Sequence, residues 1–498
     1  MAEKACGKAR KDYKRLALMD QSRRYAYLLI VISVAFSSFL VRLNSYMVNI
    51  SLPTITRSFG VTSSEASQIV SSYLLIITTT LLLFGKLGDR IGLKRIFIGG
   101  YIIFTVGSLM CGWSHDITML IGSRFVQGIG SSMLLAVSFA IISHFLPAGN
   151  TGWAFGITST ASALGVATGA PIGGIVTGYL SWNWAFFINV PVGIIAIFVA
   201  MRYIPDSVAT RDKDPGKEPA QGFDFLGAVL SFAGLGLLLY GVNRGDTYGW
   251  LSPAIIGCLT GAFLLIVLFV FWEKRHRNPL LDMSLFLNLR YTFALIATFL
   301  AYMLISGNAF LMPFYLEVIK GLNAQTAGLL LLVYSIIYVV LSPVAGRLSD
   351  RVSPALLCSI AMVSGTLCVF VFSFTLRQTG LTSVIVYLVW LALSFVLFFS
   401  PNNNQVMNYA PPDKKGVSSG LFNTTSNLGM VFGVTVIETV FAAAAYGPAA
   451  PSAKASLKSL SAGPALNGFH HAYLAGALCC LLALVFSLAG KYKKGAKG

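Results

Sequence analysis

The chain of 498 residues is 56% apolar and 11% charged, and its 36 Lys and Arg against 18 Asp and Glu leave a formal charge of +18. A soluble domain carries about a quarter charged residues, so a soluble multidomain enzyme is excluded. The apolar residues instead fall into runs of roughly twenty, enough to cross ~30 Å of hydrocarbon, and the chain reads as an all-α membrane protein embedded in a lipid bilayer.

In chain order, a basic leader occupies 1–25 and six spans follow at 26–50, 64–84, 96–113, 118–146, 152–178 and 186–204. A linker over 205–290 holds two accessory spans, 225–242 and 254–272. Six more run over 291–316, 326–345, 355–375, 382–408, 417–443 and 469–490, before a basic tail at 491–498. Two six-helix bundles, 26–204 and 291–490, are therefore expected on either side of the accessory pair. The first span follows a long basic leader and exceeds a signal-peptide core in length, so it reads as a retained anchor.

Loop charge orients the bundle. With the amino terminus in the cytoplasm, 28 of the 36 Lys and Arg fall in inside segments and 6 in outside ones. That bias predicts fourteen helices arranged 6+2+6 with both termini cytoplasmic. The basic excess is then topology and needs no nucleic-acid partner. The two remaining cations, Arg42 and Arg124, lie within spans.

Other chemistry is sparse. Apart from Cys6 in the leader, the cysteines sit in apolar spans without a C-x-x-C pair, and the five histidines lie near span ends without ligand spacing. No metal and no cofactor is expected. No phosphate-binding loop of the G-x-x-x-x-G-K-[ST] type is present, so the chain does not use ATP directly.

One pattern repeats. The loop after the second span reads Gly85-Lys86-Leu87-Gly88-Asp89-Arg90-Ile91-Gly92, and after the tenth comes Gly346-Arg347-Leu348-Ser349-Asp350-Arg351. A Gly-basic-Leu-small-Asp-Arg unit at matching places in two halves is the mark of a secondary transporter built by duplication.

With that repeat, the sequence resembles the major facilitator superfamily, in particular its fourteen-helix drug:proton antiporter branch, along almost its whole length. The resemblance rests on Asn44-Ser45-Tyr46-Met47-Val48-Asn49-Ile50-Ser51-Leu52-Pro53 in the first helix and on Arg124-Phe125-Val126-Gln127-Gly128-Ile129-Gly130 in the fourth. It also rests on Gly165 to Gly174 in the fifth, on Trp182 to Gly193, and on the stretch from Ser400-Pro401-Asn402-Asn403-Asn404 through Gly433. It implies a major facilitator fold in the cytoplasmic membrane, working as a monomer. It further implies that Gly85, Asp89, Arg90, Gly92, Asp350 and Arg351 latch the halves together. Gly165, Gly169, Pro171, Gly173 and Gly174 would form a pliable helix seam; the family more often has proline directly after the glycine where Ala170 stands.

The membrane-embedded polar residues are the candidates for mechanism. A charge at mid-membrane costs at least ~2.5 kcal/mol on insertion scales. Arg124, with Gln127 on its helix face, is either a proton- or substrate-handling group or a structural cation bonded to carbonyls. The branch typically carries aspartate where Asn44 stands, and asparagine does not titrate. Arg42 shares a face with Ser38, Ser45 and Asn49. Either it turns the cavity against cationic substrates, toward neutral or anionic ones, or it snorkels to the outer interface.

Glu438 is the one acid deep in a span and stands as candidate proton carrier or ion-pair partner. Glu317, beside Lys320 near a helix end, reads as interfacial. Asn402, Asn403, Asn404, Gln405 and Asn408, with Tyr302, Asn308, Asn423 and Asn427, offer a hydrogen-bonding wall in the second half or bonds between helices. The family often has arginine where Ser426 stands.

The leading expectation is a proton-linked exporter of small organic molecules or drugs, working by alternating access. The alternatives are an anion or neutral-metabolite porter or uniporter and, from another class, a membrane-embedded lipid-modifying enzyme.

Overall fold

The computed structural model describes residues 2–146, 151–206, 224–276, 283–377, 380–411, 415–446 and 462–492, and among these every regular element is a helix. In the first half α1 spans Ala2–Phe59, α2 Ser63–Ile91, α3 Leu93–Gly112, α4 Ile117–Phe145, α5 Thr151–Tyr179, α6 Trp184–Phe187 and α7 Asn189–Tyr203. The accessory pair is α8 (Phe225–Tyr248) and α9 (Pro253–Arg275). The second half holds α10 (Leu289–Phe314), α11 (Ala324–Arg351), α12 (Pro354–Thr375), α13 (Thr382–Tyr409), α14 (Lys415–Tyr446) and α15 (Ala462–Tyr492).

Among the described residues twelve helical stretches are long and apolar enough to cross a membrane, α6 and α7 counting as one. The second and seventh expected spans, at α2 and α8, are helical but fall outside that set; in α8 the apolar stretch covers only Leu226–Val242.

Two span boundaries differ from the sequence reading. The first helix does not stop at residue 50 but runs on to Phe59, with Pro53 inside it. Two polar residues of the added turns are nevertheless buried, Ser51 and Thr56, which donate to the carbonyls of Met47 (2.8 Å) and Leu52 (2.7 Å). A hydroxyl that bonds its own backbone removes most of the cost of leaving water. Thr62 then opens α2 with a capping box, bonding the Glu65 amide while Glu65 bonds back. The sixth span is divided at Ile188 into α6 and α7.

The halves repeat their packing. α1 lies on α5 as α10 lies on α14; α2 lies on α4 as α11 lies on α13; α3 lies on α4 as α12 lies on α13. Glycine sets the closest of these approaches. A Cβ on Gly173 of α5 would stand 2.7 Å from Met47 Cα of α1, and one on Gly433 of α14 would stand 2.8 Å from Met303 Cα of α10. Only a residue without a side chain lets backbones meet so closely. The halves join along α5 with α11 and α2 with α14, and α8 covers the latter seam by touching both helices.

Candidate functional site

The first-half centre is organised around Arg124, which stands on α4 two turns beyond the Asp116 cap and is fully buried. Its Nε donates to the Ile69 carbonyl of α2 at 3.1 Å and its Nη1 to Gln127 Oε1. The guanidinium lies flat enough over Tyr73 to bring Cζ within 3.9 Å of the ring centre. Gln127 in turn donates to Ser108 Oγ (2.7 Å) and Asn44 Oδ1 (3.3 Å), and Asn44 Oδ1 also accepts from Asn189 Nδ2 (3.0 Å). The Tyr73 hydroxyl closes the set by pairing with Ser131 Oγ at 2.8 Å. α3 comes close enough because Gly107 lies against the Gln127 backbone, where a Cβ would stand 2.5 Å from the amide nitrogen.

Among the described residues no carboxylate lies within ion-pair distance of Arg124. Its charge is held by a carbonyl, an amide oxygen and an aromatic face, all fixed dipoles. Asn44 is thus committed to the same network, and as an amide it supplies no titratable proton.

Arg124 and Arg42 line one crevice with Ser45, Asn49 and Tyr73 of the first half and with Ser306, Ala309 and Met430 of the second. Its volume is about 20 Å³, room for a single water. Arg42 turns inward, its Nη1 3.5 Å from Met430 Sδ, so it does not reach for the helix end. Asn49 is 7% exposed and its Oδ1 has no hydrogen-bond partner among the described residues. A larger hollow of about 290 Å³ between α12 and α13 has no charged lining and opens past the exposed Val371 and Val386.

Three further bonds tie the halves together, two of them where α1 passes into α2 and one between α11 and α5. Arg57 of α1 forms an ion pair with Glu317, whose side chain is wholly buried. Ser63, the first residue of α2, donates to Glu438 Oε1 of α14 at 3.2 Å. Gln325 of α11 donates to the Tyr179 hydroxyl of α5 at 3.0 Å. Glu317, near the end of its helix, is 6% exposed and paired across the seam, a partner the sequence reading did not give. Neither charge is remarkable in sequence, because each closes its own helix and their partners lie far along the chain.

The remaining candidates separate. Asn308 accepts from Tyr387 (2.8 Å) and Tyr473 (3.4 Å), and Asn402 donates to Thr298 (2.6 Å); both tie helices within the second half. Asn403 is exposed, whereas Asn404 donates to Ser349 Oγ at 3.1 Å, beside the second copy of the repeat. In the first copy Gly92 turns the chain between α2 and α3 at φ +106°, a conformation that favours glycine. Gly85 meets nothing within 4 Å, and Arg351 ends α11 exposed. The side chains of Asp89, Arg90 and Asp350 lie outside those described. Gly165 and Gly169 face α1 with Gly173, Gly174 faces Ala324 and Gly328 of α11, and Pro171 sits within the continuous α5.

Aromatic residues supply what the sequence reading mostly passed over. Tyr302 of α10 packs on Phe399 of α13 (4.6 Å between centres), Phe399 on Tyr338 of α11 (6.5 Å), and Tyr338 nearly parallel to Tyr334 (6.1 Å, 18°). Tyr46 lies on α1, which touches both α10 and α11. Tyrosine in an apolar span looks like packing; only the i, i+4 spacing of Tyr334 and Tyr338 hints at a shared face.

Comparison with known proteins agrees with this architecture. Residues 34–434 match the model of the Major Facilitator Superfamily. The riboflavin transporter RibZ of Clostridioides difficile is 32% identical over 83% of this chain and 88% of its own. The multidrug resistance protein Stp of Mycobacterium tuberculosis is 29% identical over 84% of this chain and 76% of its own. The multidrug export protein EmrB of Escherichia coli is 27% identical over 83% and 80%, respectively. A solved bacterial homologue of the human lysosomal transporter Spinster shares the fold at a TM-score of 0.65 and 15% identity, covering 94% of this chain and 97% of that one. The chain is thus a multi-pass membrane transporter of small molecules and not an enzyme: it belongs to the major facilitator superfamily.

Proposed function

We propose that the protein is a proton-linked secondary transporter that exports small organic molecules, drugs among them, by alternating access. In this reading the chain crosses the membrane fourteen times with both termini in the cytoplasm, and the two six-helix bundles rock about the Arg42–Arg124 crevice. The observation that carries it is the bond from Ser63 to Glu438. It puts a buried acid on the seam between the bundles, at the N-terminal turn of α2, where a helix end favours negative charge. Protonation of Glu438 removes that attraction and loosens the outer closure, with Arg57–Glu317 alongside; deprotonation restores it. A proton gradient then biases which side is open.

The test is flux in proteoliposomes under an imposed pH gradient. Uptake or release that follows the gradient and vanishes when it is collapsed supports the reading; substrate movement indifferent to the gradient contradicts it. A second reading, an anion or neutral-metabolite porter, is favoured by the engagement of Asn44 with Gln127 and Asn189. The position where the branch typically places an acid is here part of a neutral amide network. Equilibration of substrate without proton movement would select that reading.

A further inference from the structure

We infer that the space between α1 and the α10–α11 wall is a binding site for a planar aromatic anion that also carries a hydrogen-bond donor. This rests on the transporter reading only in taking that space as the transport site.

Three observations meet there. First, the two cations of the crevice differ in how far they are committed. Arg124 is bonded to Ile69 and Gln127 and covered by Tyr73. Arg42 makes a single hydrogen bond among the described residues, to a thioether, which is a weak acceptor. Most of its five donors are left for an incoming carboxylate, whose two oxygens match the guanidinium fork. Among the described residues no acidic side chain lines the crevice. The local potential therefore favours anions and opposes cations.

Second, Asn49 holds a buried Oδ1 without a partner on the same lining. An unpaired buried acceptor is costly, and a ligand hydroxyl or N–H relieves that cost.

Third, the second half carries a continuous aromatic run beside the crevice lining, from Phe422 through Tyr302 and Phe399 to Tyr338 and Tyr334. Arg42 stands fifteen residues before Arg57 and Tyr302 fifteen before Glu317, so cation and wall lie at matching depth, roughly 22 Å from that ion pair along their helices. Arg42 reaches Met430 at 3.5 Å, and a Cβ on the preceding Gly429 would stand 3.0 Å from Tyr302 Cβ. A flat ring laid on these faces brings its carboxylate to Arg42. Since the crevice itself admits only about 20 Å³, the ring seats as the halves part.

The experiment is equilibrium binding to the purified full-length protein in detergent, using four probes: 6-hydroxy-2-naphthoate, 2-naphthoate, 2-naphthamide and 2-naphthylmethylammonium. We expect the carboxylates to bind about tenfold tighter than the amide, the hydroxylated acid tightest and the ammonium weakest. Arg42→Gln brings acid and amide to within about twofold while the amide still binds, which shows that the variant folds; Arg42→Lys keeps part of the preference. Asn49→Leu abolishes the advantage of the hydroxyl alone. Tyr302→Leu weakens acid and amide alike, and Tyr302→Phe restores both. Tightest binding of the ammonium, or an acid preference unchanged in Arg42→Gln, overturns the inference. The expected binding order without gradient-driven flux leaves this inference standing and contradicts proton-linked export. Gradient-driven flux of the ammonium with no carboxylate binding does the reverse.

Discussion

The α1–α5 contact of the first half and the α10–α14 contact of the second are built alike but deliver different side chains to the centre. Each closes on glycine, Gly173 against Met47 in one and Gly433 against Met303 in the other. Past that seam the first half presents Arg42, Asn49 and Arg124, whereas the second presents Tyr302, Tyr338 and Phe399. The duplicated part is the backbone approach, where a misplaced methyl is felt at once. Side chains facing the central space carry no such packing constraint, so one half has become cationic and the other aromatic. The comparison suggests that movement belongs to what the halves share and recognition to what they do not.

The largest effect should come from breaking the cationic side. In Arg124→Leu the Gln127 amide and Ile69 carbonyl lose a charged donor, and we expect proteoliposome flux to fall by about a hundredfold or more, roughly the loss of one buried charged partner. Arg124→Lys should recover little, since an ammonium does not reproduce the forked reach to Ile69 and Gln127. Next in size are the shared glycines. Gly173→Ala and Gly433→Ala each force apart a backbone contact and should cost about 1–3 kcal/mol, read as a lower unfolding temperature in detergent. Sensitivity of only one of the two would break the equivalence of the halves.

Smaller again is the seam itself. Glu317→Gln leaves Arg57 without its counter-charge, and a thiol reagent applied from outside should label a cysteine placed at Ala309 several-fold faster. Unchanged labelling would show that the pair does not hold that end shut. The smallest effect should be Asn402→Ala, which removes one bond to Thr298 within the second half; such intrahelical-bundle bonds average about 0.6 kcal/mol. Its unfolding temperature should move by a degree or two with flux unchanged, while Asn44→Ala, in the amide network, should reduce flux.

The sequence disclosed what membrane physics makes expensive. Runs of apolar residues located the helices, and the cost of a buried charge singled out Arg124, with Gln127 and Asn44 following from family motifs. Their joining into one network through Asn189 and Ser108 required the fold. Polarity alone does not show direction, so Asn308 and Asn402 could be read either as a polar wall or as bonds between helices; they bond Tyr387, Tyr473 and Thr298 inside their own half. The end of α1 was hidden because Ser51 and Thr56 look like loop residues until their hydroxyls are seen on the helix backbone. Arg57 and Glu317 were hidden because a pair formed between distant helix ends leaves no spacing to read.

The account turns most on Glu438, which accepts from Ser63 across the seam. The direct measurement compares wild type and Glu438→Gln in proteoliposomes, both for transport driven by a pH gradient and for substrate exchange at equal pH. The glutamine keeps the hydrogen-bonding shape but binds and releases no proton. Gradient-driven transport should be lost while exchange continues. Full gradient-driven transport by the glutamine variant would contradict the account.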